Sequence, residues 1–237
     1  MEKFFYELEK LRGTILKPFF LFFVVSLAFL VIGTPTLATQ IFLSAKSFLI
    51  PHDVLLVALG PVSVFMAPLV MSFLISLLIT FPYALYSFGE YLRPALFPGE
   101  RKVMYTFVLP SLMLFYLGCA FGYFFIIPTT FSILYSFATP IGVTPFFSLD
   151  SFISSVFLLT VSVGAIFLLP VVMVLLTRLS IIPYERWRTH WRGAMLASLI
   201  FCAVVTPDGS GVTMVFLFIP LVLLYGIGAV LSRKNAS

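Results

Sequence analysis

A chain of 237 residues that is 61% hydrophobic and only 10% charged, with a mean hydropathy of +1.15, cannot stay soluble as a monomer and reads as an integral membrane protein. Each helical crossing takes about 20 apolar residues, so the length fits roughly six spans with short connections and leaves no room for a separate soluble domain. The net charge of +5 belongs to membrane topology and anionic headgroups, not to nucleic acid.

Residues 2–14 predict an amphipathic helix lying in the interface. Phe4, Phe5, Leu8, Leu11 and Ile15 share one face, and Glu2, Lys3, Glu9 and Lys10 fall elsewhere. A first span follows at 16–34. A cleaved signal peptide is the competing reading, but the acidic Glu2, Glu7 and Glu9 speak against it. Residues 35–62, with Pro35, Pro51, Gly60 and Pro61, form a mixed connection that packs back on the membrane surface, and a second span runs over 63–86. Next comes Tyr91–Arg101, in which Pro94, Pro98 and Gly99 cannot share one unbroken helix. The segment must turn and present Glu100 and Arg101 at the membrane surface.

A third span is expected at 103–126, interrupted by Pro110, and then a long connection over 127–150 whose only charge is Asp150. The fourth span, 151–177, contains Pro170. A loop carrying Arg178, Glu185, Arg186, Arg188, His190 and Arg192 precedes a fifth apolar stretch, 194–206. Its apolar run, Ala194–Val205, covers only about 18 Å of a hydrocarbon layer roughly 30 Å thick, so the bilayer must thin there or the helix must stop short. Thr206–Gly211 is a tight turn before a sixth span, 212–231. The whole chain, 1–237, is read as one membrane domain. With the N-terminus cytoplasmic, thirteen of the fourteen lysines and arginines fall on the inner side and only Lys46 outside. This places both termini in the cytoplasm.

No Asp, Glu, Lys, Arg or His sits well inside a span, although such residues mark most intramembrane enzymes and pumps. Ser72, Ser76, Thr80, Thr160 and Ser162 are mid-span hydroxyls with no general base beside them, so the chain is not expected to be an enzyme. Cys119 and Cys202 lie in apolar runs, and His52 and His190 in different connections. No disulfide, metal site or cofactor is therefore expected. Gly118 and Gly122 form a small-xxx-small face suited to close packing inside the bundle or to a dimer seam. Pro68, Pro82, Pro110, Pro170 and Pro220 bend their helices. Glu100, at the start of the third helix, is favoured there by the helix dipole as a cap or as a ligand site.

Tyr91-Leu92-Arg93-Pro94-Ala95-Leu96-Phe97 with Glu100-Arg101 resembles the first cytoplasmic loop of the TatC family, the multi-span receptor subunit of the twin-arginine protein translocase. The resemblance continues through Phe115-Tyr116-Leu117-Gly118, Phe121–Phe124, Pro128 and Phe167–Pro170 to Thr206-Pro207-Asp208 and Ile219-Pro220. It implies an all-α bundle of six transmembrane helices, bent and cupped, with short fifth and sixth spans, in the plasma membrane of a prokaryote. It also implies a function: binding the Arg-Arg signal peptides of folded precursors on the cytoplasmic face and recruiting small single-span subunits of the TatA/TatB type. Export is driven by the proton-motive force, and the receptor assembles as a homo-oligomer.

Position by position, Glu100 matches the glutamate that binds the twin arginines, with Arg101 beside it, and Pro94, Leu96 and Phe97 match residues shaping the loop. Pro128, Pro170, Pro207, Asp208 and Pro220 match structural or partner-contact positions. The N-terminal pattern aligns with Glu7–Arg12 but puts Lys10 where a second glutamate belongs, so Glu9 is the expected substitute, with Arg12 nearby. Leu168 replaces a glutamate often present in the fourth span. The alternative, a small-solute transporter or channel, is allowed by the bent spans and disfavoured by the lack of intramembrane charge.

Overall fold

Without water to bind their peptide groups, long runs of Phe, Leu, Ile and Val must close their N–H and C=O bonds within the segment, and a helix does this. The computed structural model describes residues 2–33, 40, 49, 55–92, 98–136, 146–206 and 211–234, with side chains described outside 2–15, 91–92, 98–105 and a few positions near element ends. In chain order these form α1 (Glu2–Gly33), β1 (Leu55–Val57), α2 (Pro61–Leu92), α3 (Pro98–Phe121), a π turn (Gly122–Ile126), α4 (Ile127–Ser136), β2 (Phe146–Ser148), α5 (Leu149–Phe167), α6 (Leu169–Arg178), α7 (Tyr184–Thr189), α8 (Trp191–Val205) and α9 (Val212–Lys234). The chain is thus an all-α membrane protein apart from two three-residue strands. Helix occupies each of the six apolar runs. Four of them, Pro61–Glu90, Thr106–Leu134, Leu149–Arg178 and Thr213–Arg233, are long and apolar enough to cross a membrane, while Leu16–Val31 and Trp191–Val205 are shorter.

Several boundaries differ from the sequence reading. Residues 2–14 do not form a separate interfacial helix: α1 runs unbroken from Glu2 to Gly33 with Pro18 inside it. A proline inside a helix disrupts one intrahelical hydrogen bond without having to end the helix. The third span does not stop at 126. The π turn carries it into α4, so the first ten residues of the expected 127–150 connection are helical. The fourth span is two helices, because Pro170 has no N–H to give and sits in the first turn of α6, where none is required. Helix α8 starts at Trp191, three residues before the apolar run, and its 15 residues reach about 22 Å. It remains short of a full crossing.

Helix α5 is the hub. Of the four long apolar runs, the one it shares with α6 is 61% buried inside the molecule, against 33%, 33% and 22% for the others. Its Phe152, Val156, Leu159 and Val163 are completely enclosed, together with Ile127 and Phe131 of α4. The crossing of α5 with α3 is set by glycine. A Cβ on Gly118 would lie 2.7 Å from Phe167 and 3.0 Å from the Gly164 Cα, and a Cβ on Gly164 would lie 2.5 Å from Cys119 Sγ. The small-xxx-small face of α3 is therefore spent inside the bundle. A similar approach joins α6 to α9, where a Cβ on Gly228 would meet Met173 at 2.6 Å and the Pro170 Cα at 3.0 Å.

One end of the bundle is tied by polar groups. Strands β1 and β2 pair in parallel, Leu55 opposite Phe146 and Val57 opposite Ser148. The Ser63 hydroxyl, at the start of α2, donates to Asp150 Oδ2 at 2.5 Å. Asp150 lies in the first turn of α5, where a carboxylate opposes the helix dipole favourably. Helix α1 packs along α2, with Phe22 against Phe73 at 5.6 Å between ring centroids.

Helix α2 meets α3 through stacked Phe81 and Phe115 rings, 3.6 Å apart. At the same level the Tyr116 hydroxyl donates to the Leu78 carbonyl at 2.7 Å. Leu78 is four residues before Pro82, whose missing N–H would otherwise have satisfied that carbonyl. We therefore expect Tyr116→Phe to destabilise the protein in detergent by about 1–2 kcal/mol by orphaning this carbonyl. The same substitution should cost clearly less in a Pro82→Ala background, where the helix supplies its own donor. Thermal melts of the four proteins in a double-mutant cycle measure the difference, and equal costs in both backgrounds would contradict the assignment.

Candidate functional site

Two segments carry the carboxylates singled out in the sequence, and both lead back to α2. Helix α2 ends at Leu92 and α3 begins at Pro98. Proline is suited to a helix start because its φ is preset and its lost N–H would be unpaired there anyway. Glu100 and Arg101 follow in the first turn of α3. Glu9 and Arg12 fall in the N-terminal part of α1, the helix packed on α2. Pro94, Leu96 and Phe97 of the connecting loop, and Pro207 and Asp208 of the last turn, lie outside the described residues.

The remaining predicted positions are structural. Pro128 opens α4 just after the π turn. Pro170 is buried at the α6–α9 crossing, and Pro220 lies inside α9. Pro110 and Pro170 come together with Phe107, Phe167, Arg178 and Leu224 around a cavity of about 470 Å³ between α3, α6 and α9. The Arg178 guanidinium lies over the Phe107 ring, 5.4 Å from its centroid.

A second, almost wholly apolar groove of about 580 Å³ separates α5 and α6 from α8 and α9. Ala165, Leu168, Val172, Phe201 and Leu221 line it, so the leucine that replaces a family glutamate faces a greasy cleft. The groove narrows at Trp187, whose indole N–H donates to the Thr177 hydroxyl at 3.0 Å. That hydroxyl donates in turn to the Met173 carbonyl at 3.0 Å. The Tyr225 hydroxyl of α9 donates to the Trp187 carbonyl at 2.6 Å. Two hydrogen bonds thus latch α7, the short helix of the basic loop, onto α6 and α9, and the third fixes the Thr177 hydroxyl within α6.

Sequence reading missed this latch, though Trp187 in a charged loop and Tyr225 in an apolar helix were its visible traces. It also missed the β1–β2 pair, for which three-residue strands leave no periodicity to read, and the partner of Asp150. A lone carboxylate in a connection otherwise without charge was the signal there. Among the described residues no group of three or more His, Cys, Asp or Glu is placed to hold a metal.

The fold and these surfaces define a multi-span helical membrane protein with apolar grooves between its helices. The family model described as "TatC: Sec-independent protein translocase protein (TatC)" matches residues 7–220, and the chain belongs to this family, which is one of protein translocases and not a known enzyme family. Relatives named "Sec-independent protein translocase protein TatC" include that of Cenarchaeum symbiosum, 34% identical over 199 residues, or 84% of this chain and 75% of the relative. That of Aquifex aeolicus is 31% identical over 182 residues, 76% of this chain and 75% of the relative. The protein of Escherichia coli K12 is 30% identical over 184 residues, 78% and 70% respectively. A solved structure described as "Crystal Structure of Twin Arginine Translocase Receptor- TatC" superposes with a TM-score of 0.84 at 27% identity, covering 98% of this chain and all of that one.

The latch predicts a local effect. Tyr225→Phe removes one hydrogen bond, worth about 1 kcal/mol, and should raise hydrogen exchange across residues 184–190 several-fold while leaving α5 unchanged. Peptide-resolved exchange by mass spectrometry reads this directly, and unchanged protection of α7 would show that the latch contributes nothing.

Proposed function

We propose that this chain is the core receptor of a twin-arginine translocase in a prokaryotic plasma membrane, with both termini cytoplasmic. It binds the Arg-Arg signal peptides of folded precursors on the inner face and recruits small single-span subunits of the TatA/TatB type, with several copies in the receptor complex. Passage of the folded cargo is driven by the proton-motive force, and the chain itself is not an enzyme.

The observation that carries this reading is the start of α3. After a five-residue connection containing Pro94, α3 opens with Pro98 and Gly99, which puts Glu100 in the first helical turn, where the dipole favours a negative charge. A charged carboxylate meets the planar fork of guanidinium through two charge-assisted hydrogen bonds, which the compact, strongly hydrated lysine ammonium cannot match. Adjacent arginines diverge, so two of them call for two carboxylates. Glu100 serves one, and Glu9, on the helix packed against α2, serves the other. The apolar stretch that follows the arginines lies in the groove lined by Leu168, Val172 and Phe201, held there by close packing against those side chains.

A peptide with Lys-Lys in place of Arg-Arg should bind the purified protein at least about tenfold more weakly, the loss expected when a bidentate charged contact becomes a single one. Glu100→Gln should lower Arg-Arg binding by a similar factor and largely erase the preference, and Glu9→Ala should cost less. Fluorescence anisotropy with labelled signal peptides measures all of these. Equal affinity for both peptides would remove the bidentate argument, and an unchanged Glu9→Ala would remove Glu9 from the site.

A further inference from the structure

Between α7, the start of α8 and the last turns of α9 lies an open cavity of about 550 Å³, lined by Tyr184, Trp187, Arg188, Trp191, Gly226 and Arg233 together with apolar residues. Among the described residues no carboxylate lines it and neither guanidinium has an ion-pair partner. The α9 wall is shallow because Gly226 and Ala229 carry little side chain, and a Cβ added at Gly226 would meet nothing within 4 Å. Met195, Val222 and Val230 supply apolar wall. Val230 is 70% exposed and continues into the exposed apolar face of α9 formed by Leu223 and Ile227.

Two cations, aromatic rings and apolar walls in one cavity suit a ligand that carries an anionic head and an apolar tail. Tyrosine and tryptophan collect at the headgroup level of a bilayer, and arginine's planar fork matches phosphate oxygens. We propose that this cavity seats the headgroup phosphate of one anionic phospholipid between Arg188 and Arg233, with an acyl chain running along Met195, Val222 and Val230. The site is separate from the loop carrying Glu100 and does not depend on the reading of that residue. A lipid held there would brace α7 and its latch to α9.

Native mass spectrometry of the full chain in a mild detergent tests this, with phosphatidylglycerol and phosphatidylcholine of identical acyl chains added in parallel. The wild type should retain one phosphatidylglycerol with a preference on the order of tenfold or more, as expected for two cations near an anionic headgroup, and the preference should shrink as salt is raised. R188Q/R233Q should lose the preference, and R188K/R233K should keep part of it. G226L, which fills the cavity without changing charge and has room to do so, should lose the tightly held lipid. K46Q should behave as wild type, and melting temperatures confirm that each variant is folded. Equal retention of both lipids by the wild type, or an unchanged preference in R188Q/R233Q, would overturn the proposal. So would displacement of the lipid by inorganic phosphate, which would make this a free-anion site, or by a short acidic peptide, which would make it a docking site for a protein segment.

Discussion

The architecture depends on how closely α3 and α5 can approach. Apolar burial does not drive helices together in a bilayer, because lipid tails are as apolar as leucine, so contact has to come from dense packing of backbones. Gly118 against Gly164 and Phe167, and Gly122 against Val163, supply it. Side chains at these positions would push α5 off α3 and open the core in which Phe152, Val156, Leu159 and Val163 are enclosed. Gly228 repeats the device where α9 meets Met173 and Pro170.

Around that packed centre the helices are deliberately imperfect. Pro82, the π turn at Gly122–Ile126 and the break at Leu168 each interrupt the regular ladder. At Pro82 a neighbouring helix completes the backbone bonding, with Tyr116 serving the Leu78 carbonyl. Such breaks are tolerated in a membrane when neighbours satisfy the freed groups. The break at Leu168 lines the groove beside α8, and Pro110 and Pro170 line the cavity between α3, α6 and α9.

Much of this was legible in the residues. Long apolar runs set six helical stretches, because hydrocarbon allows few other conformations, and the motif spacing from Tyr91 to Pro220 pointed to the family. What was not legible follows from the limits of periodicity. The charged residues 2–14 read as a helix separate from the first span, yet α1 runs unbroken from Glu2 to Gly33 with Pro18 inside it. Residues 127–136 read as a connection because of their Thr, Ser and Pro content, but the π turn just before Pro128 carries the helix on through it. Contacts between residues far apart in sequence, such as Ser63 with Asp150 and Trp187 with Tyr225, leave an out-of-place polar residue as a trace but nothing that names its partner. The start of α3 was read from its Pro-Gly-Glu-Arg sequence, whereas the binding role given to Glu9 rests on a substitution at the neighbouring Lys10.

The central claim is that the carboxylate at the start of α3 meets the guanidinium groups of an export signal. A photoreactive amino acid at position 100, in inverted membrane vesicles supplied with a twin-arginine precursor, tests it at residue resolution. The account predicts a crosslink mapping to the signal within a residue or two of the arginine pair, and its loss when an unlabelled Arg-Arg peptide is added in excess. A crosslink confined to the mature part of the precursor, or one insensitive to that competitor, would contradict it.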